Sequence, residues 1–223
     1  MRILTGRVAL FGACLSIAGC GALLDTGFDW DKPGHSPSMT TLGFQGAQIR
    51  PGASKNVFVT SKMGLVGQQA LAFIETAEPV DGSHRTFLQS APVKDPTEPV
   101  YINWRGQFGA GGTMKVVLGL LGQPYVTMRF ADGDLFLDDA KVGNFVPGDH
   151  HSVAVTLDPK ARSYKVAFSG HGTYHQNAFE GSAPASKNDA GMQVIADFGI
   201  ESVGQERLVY VLDDVRISHN ASN

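Results

Sequence analysis

Thiols, charge and helical periodicity are what this sequence has least of. Its two cysteines, Cys14 and Cys20, both lie at the extreme N-terminus, so the rest of the chain can form no disulfide and complete no cysteine-based metal site. The fold must be held by its apolar interior. Charged residues make up only 17% and the formal net charge is −3, which leaves no basic excess to neutralise phosphates and disfavours nucleic acid as a partner. No apolar run is long enough to cross a bilayer as a helix, and no convincing amphipathic helical pattern occurs. What the chain does have is glycine, 27 residues without a strict period, which points to many turns. At 223 residues and 43% hydrophobic content, it can build one sizeable core but would be cramped as two domains.

The N-terminus reads as an export signal. Arg2 and Arg7 give a positive start, Val8 to Ile17 an apolar stretch too short to span a membrane, and Ala18 and Gly19 the small residues before a cleavage site. Ile17-Ala18-Gly19-Cys20 resembles the lipobox of bacterial lipoproteins, in which cleavage precedes the cysteine and its sulfur carries a diacylglycerol. The resemblance implies a signal peptide over residues 1–19 and an acylated Cys20 that ties the chain to the lipid bilayer. Gly21 stands where an Asp would favour inner-membrane retention, so in a two-membrane bacterium the outer membrane is implied. Loss of Arg2 and Arg7 makes the exported chain more acidic still. From residue 20 to 42 the chain is rich in Gly, Pro, Ser and Asp, with Pro33-Gly34 and Ser36-Pro37-Ser38, and reads as a tether. As a flexible coil it would reach about 25 Å. Phe28 and Trp30 offer the alternative of docking onto the domain.

Downstream, short runs of period-two alternation recur between turn signals, an all-β pattern. Ile102, Trp104 and Phe108 alternate with Asn103, Arg105 and Gln107, and Val126, Met128 and Phe130 with Tyr125, Thr127 and Arg129. Val153, Val155 and Leu157 alternate in residues 152–158, as do Tyr164, Val166 and Phe168 in residues 163–169, with Asp158-Pro159-Lys160-Ala161 as the hairpin turn between them. Further strands are expected at 57–60, 70–75, 114–121, 135–137, 194–200 and 208–217. Their even spacing suits a sandwich or barrel.

Gly148 to Asp158 followed by Tyr164 to Gly170 resembles a segment of laminin-G-like, or concanavalin A-like, domains, and Leu212-Asp213-Asp214-Val215-Arg216-Ile217 is similar to their closing strand. Phe44-Gln45-Gly46 with Gly67 to Leu71 resembles their opening hairpin. The likeness implies a two-sheet antiparallel jelly-roll sandwich over residues 43–218, with 219–223 as a C-terminal tail. Such sheets commonly bind glycans or carry hydrolase and lyase sites, and the fold does not decide between them.

No catalytic set stands out. Retaining glycosidases need two carboxylates on one strand face, and the Glu-x-Asp-x-x-Glu spacing that supplies them on this fold is absent. Glu201 and Glu206 flank a Gly204-Gln205 turn, while Asp138-Asp139 and Asp213-Asp214 are adjacent pairs that point apart when extended. Phe168 to Gln176 faintly resembles the tyrosine-bearing strand of alginate lyases, without the companion motifs. His171 and His175, with His150-His151, lack a completing ligand and read as surface histidines. Asp132-Gly133-Asp134 has the character of a calcium loop and equally of a β-turn. Asp213 shares the parity of Val209, Val211, Val215 and Ile217, so a carboxylate is expected on the inward face, compensated by amides, an Arg, a β-bulge or calcium.

The residues Asn103, Arg105, Gln107, Tyr125, Thr127 and Arg129 combine donors with an aromatic ring and form the candidate ligand face. The reading that follows is an envelope-anchored, non-catalytic module binding a glycan or another envelope component. A polysaccharide lyase or glycoside hydrolase, or a structural lipoprotein with protein partners, are the alternatives.

Overall fold

In residues 100–108, 126–130 and 151–157 the alternation of apolar and polar residues becomes alternation of buried and more exposed ones. The structure, a computed structural model, describes residues 22–37, 48–49, 56–61, 65, 67–77, 85–92, 98–120, 123–170, 177–183 and 193–219. Among these the regular elements are all strands, and no helix is long and apolar enough to cross a membrane. They are β1 (Ala22–Thr26), β2 (Gln48–Ile49), β3 (Val57–Thr60), β4 (Ala70–Glu75), β5 (Arg85–Pro92), β6 (Val100–Phe108), β7 (Thr113–Leu120), β8 (Gln123–Ala131), β9 (Asp134–Leu137), β10 (Ala140–Asn144), β11 (His150–Asp158), β12 (Ser163–Gly170), β13 (Asn177–Ser182), β14 (Gln193–Ile200) and β15 (Arg207–Ser218).

They form two antiparallel sheets. One runs β13-β12-β11-β6-β15-β4-β3, with β1 also paired to β15, and the other β10-β9-β8-β7-β14-β5-β2. The sandwich expected from the pattern is the architecture found. Val100, Ile102, Trp104 and Phe108 of β6 and Val153, Val155 and Leu157 of β11 face Met114, Val116 and Leu118 of β7 and Val126, Met128 and Phe130 of β8 across one core. The edge of the Trp104 indole packs against Phe198 at 5.2 Å, and Phe108 stacks on Phe145 at 4.1 Å, rigid aromatic contacts that interlock the sheets.

Turn chemistry accounts for the connections. Asp132 and Gly133 both adopt positive φ (52° and 84°) between the paired residues Ala131 and Asp134, a two-residue type I′ hairpin. Asp158 accepts the Ala161 amide at 2.8 Å, so the predicted turn between β11 and β12 closes as an Asx turn.

Three features differ from expectation. The first is the tether. Residues 22–26 are a strand, Ala22 opposite Ser218 and Thr26 opposite Val215, and Phe28 enters the core at 2% exposure. Of the two aromatics offered for docking, Phe28 docks and Trp30, 98% exposed, does not. Burial of one phenylalanine and a strand's worth of backbone pairing outweigh the turn-rich composition of this segment. The second concerns edge strands. β13 is an edge strand whose side chains are mostly exposed, so it carries no alternation strong enough to read.

The third is β15, whose register shifts between Leu208 and Tyr210 and again between Asp213 and Arg216, where Asp214 has φ 49°. These bulges break the assumed parity. Tyr210, Leu212, Val215 and Ile217 enter the core, while Val211 pairs with Ala72 and Asp213 with Arg105 on the outer side.

Candidate functional site

The outer face of the eight-stranded sheet is built as rows of paired residues. Asp213 of β15, Arg105 of β6, Ser152 of β11 and Ser169 of β12 form one row. The next holds Arg216, Asn103, Ala154, Ala167 and Ala178, and the three alanines are exposed. A row of alanines raises no long side chain above the sheet. Over the first row lies a cleft of about 260 Å³ lined by Leu65, Arg105, His150, Ser152, Ser169 and the Gly106-His151-Gly170 row.

Asp213 organises one wall. Fully buried, its carboxylate accepts the Leu65 amide at 3.0 Å and the Asp214 amide at 2.8 Å, which ties the loop before β4 to the bulge in β15. Charge-assisted bonds of this kind compensate the desolvation of a buried carboxylate. Asp214 in turn faces Arg105, Nε to Oδ2 at 3.4 Å, with both side chains about half exposed. Arg105, His150 and the two serine hydroxyls thus line the opening with donors and acceptors.

The cleft floor is uncharged. His151 lies between Gly106 and Gly170 in its row and stacks on Phe108 at 4.2 Å. Trp104 Nε1 donates to the Tyr210 hydroxyl at 2.9 Å, and that hydroxyl lies 2.6 Å from His151 Nε2. Indole is a donor only, so the phenol oxygen accepts from it and shares a second hydrogen bond with the imidazole, whose direction follows the histidine tautomer. Burial lowers the His151 pKa from 6.5 to about 3 and raises that of Tyr210. Gly106 is required here, because a Cβ at that position would overlap the Tyr210 hydroxyl and crowd His151.

The single ligand face expected from the sequence is two faces. Asn103, Arg105 and Gln107 project from the eight-stranded sheet, whereas Tyr125, Thr127 and Arg129 project from β8 in the seven-stranded sheet. Strand parity separates inside from outside but does not say which sheet a strand joins. Gln107 Nε2 donates to Gly148 O at 3.2 Å at the rim, and Arg129 lies over the Phe136 ring at 4.2 Å. Tyr125 is almost buried beside Thr127, Asp138 and Ser182 in a second cleft of about 360 Å³ at the sandwich edge, and burial pushes its phenol pKa up. There the Asp138 carboxylate is already engaged by the Thr127 amide at 3.0 Å and the Tyr164 hydroxyl.

The calcium candidates are dispersed. Asp132 and Asp134 belong to the β8–β9 hairpin, where Asp134 takes Lys141 and Asn144, while Asp213 lies in the other sheet. Among the described residues no three His, Cys, Asp or Glu side chains gather as a metal site. Glu201 pairs with Lys115 at 2.8 Å, and Glu180 with Lys165 at 2.7 Å. Cys20, Phe44 to Gly46 and residues 171–176, with His171 and His175, lie outside the described residues. Leu65, His150, Ser152 and Ser169 are cleft residues that the sequence reading did not select. The outward parity of the two serines was their only signal.

No protein-family model matches the sequence, and no curated protein is similar to it in sequence. Among solved structures, the catalytic domain of the glycoside hydrolase family 131 protein from Coprinopsis cinerea has a TM-score of 0.60 at 8% identity, covering 91% of this chain and 96% of that one. A family 131 β-glucanase catalytic domain from Podospora anserina scores 0.48 at 11% identity, over 79% and 83% of the two chains. The lectin UEA-II, solved with galactose, scores 0.45 at 11% identity, over 77% and 95%. The first likeness shows the fold, a concanavalin A-like jelly roll.

Proposed function

We propose that this protein is a lipid-anchored, non-catalytic module of the bacterial envelope that binds glycan in the cleft on its eight-stranded sheet. The observation that carries the reading is the cleft lined by Arg105, His150, Ser152 and Ser169 beside a row of exposed alanines, because hydroxyl-rich ligands need many modest hydrogen bonds over a surface free of obstruction. The fold is one on which glycan-handling proteins occur, among them the glycoside hydrolase family 131 catalytic domain from Coprinopsis cinerea.

Binding is favoured over hydrolysis by the carboxylates on this face. Asp213 is fully buried and spent on two amides, and Asp214 faces Arg105. A general acid and a nucleophile would have to face one another across the ligand with their protons free to move.

The test is binding of the purified domain to immobilised glycans, with release of reducing ends followed in parallel. Ser169→Leu fills the cleft from an exposed position, so it should leave stability unchanged and weaken binding by at least about tenfold, or roughly 1.4 kcal/mol. Turnover of a bound glycan would replace the binding reading with a hydrolase or lyase, and a blank array with a co-purifying protein would replace it with a structural role.

A further inference from the structure

Trp30 is the one large apolar side chain among the described residues that is almost entirely in water, at 98% exposure, and it is held there by construction. Phe28, anchored in the core with φ 60°, and Asp31 close a turn through the Asp31 amide and the Phe28 carbonyl at 3.0 Å. Asp29 Oδ1 accepts the Gln68 and Gln69 amides at 2.8 and 2.9 Å, and Gln69 Nε2 donates to the Asp29 carbonyl at 2.8 Å. Gly67, with φ 79°, leaves space that a Cβ would take from the Asp29 carboxylate. A bulky residue in the left-handed region is costly, and such strain persists where surrounding contacts enforce it.

The turn stands beside the cleft. Leu65, in the loop that binds Asp29, lines the cleft and is bonded to Asp213, and a Cβ added at Gly27 would stand 4.0 Å from the same carboxylate. Three residues of chain, at most about 10 Å, separate Leu65 from Gln68.

Resting on the glycan-binding reading above, we propose that Trp30 is a stacking platform for one ring of a β-linked, gluco-configured glycan whose neighbouring rings occupy the cleft. Such pyranoses carry axial C–H bonds on both faces and lie flat on an indole, and two adjoining contact points select a chain over a single sugar. A bilayer is the poorer occupant. Trp30 lies beyond the far end of β1 from Cys20 and so is set away from the place where a lipid on that cysteine would hold the chain.

Trp104, only 1% exposed, is the other tryptophan, so a red-edge fluorescence signal quenched by acrylamide reports Trp30. The experiment titrates cellohexaose and chitohexaose into the chain from residue 20, carrying Cys20→Ser, and into its Trp30→Ala and Trp30→Phe variants, with phosphatidylglycerol vesicles in a parallel arm. The expected result is a blue shift and loss of quenching with one hexasaccharide, binding about tenfold weaker in Trp30→Ala, and most of it restored in Trp30→Phe. Equal binding by Trp30→Ala overturns the platform and leaves the cleft reading intact. Absence of binding by the parent protein overturns both, and a blue shift with vesicles alone overturns the platform in favour of lipid contact.

Discussion

His151 shows how one side chain couples the core to pH. Its ring is held neutral by burial, with a folded-state pKa of about 3 against an ordinary 6.5. Below pH 6.5 the unfolded chain takes up a proton that the folded one refuses, so the stability of the neutral ring is complete above that pH and is lost progressively as pH falls toward 3. The loss is at most about 1.4 kcal/mol per pH unit. In chemical denaturation between about pH 6 and 4, His151→Phe should therefore lose one proton's worth of slope. At neutral pH the same change should cost about 1–3 kcal/mol, because the buried Tyr210 hydroxyl loses a hydrogen-bond partner. An unchanged slope would mean that the imidazole is already protonated or wet in the folded state.

At the scale of elements, β1 and the turn after it decide how much of the N-terminal region belongs to the domain. Phe28→Ala should destabilise the protein by about 3–5 kcal/mol, since a fully buried ring is replaced by a cavity. Calorimetry would check this, and a loss below about 1 kcal/mol would show that the segment is not docked. That segment also marks where the sequence could be read and where it could not. The strands β6, β8, β11 and β12 were legible because each has one face in the core, and Trp104 or Val155 announces that face every second residue. Residues 22–26 were hidden by their turn-rich surroundings, and the pairing that makes them a strand is with Val215 to Ser218, almost the whole chain away. The burial of Asp213, its amide partners and a bulge are among the expectations, but strand parity alone puts it on the core side, because a bulge shifts parity with no signature beyond the adjacent acids. The cleft was half legible: Arg105 and Asn103 follow from alternation, but Leu65 joins them only through the Asp213 carboxylate, and Tyr125 was grouped with them although it lies on the opposite sheet.

For the whole molecule, a lipid on Cys20 would stand closer to the domain than a tether would place it. β1 starts at Ala22, immediately after the segment expected to carry the lipid, so an acylated Cys20 would hold the sandwich against the bilayer by the end where Ala22 meets Ser218. Cys20→Ser should abolish acylation and move the protein from the detergent phase to the aqueous phase on Triton X-114 partitioning, with its thermal transition unchanged. Retention in the detergent phase would remove the lipoprotein assignment. Asp213 and Arg105 lie further along the same sheet, which sets the cleft back from the anchored end.

The pairing of Ala22 with Ser218 brings the two ends of the folded chain out side by side. A reporter fused after His219 would therefore be crowded by whatever surface holds residue 20, while the cleft would stay clear of it. Closing the short gap between those ends and reopening the chain at the Asp158–Ala161 hairpin would give a permuted protein with the same sheets and the same opening for ligand.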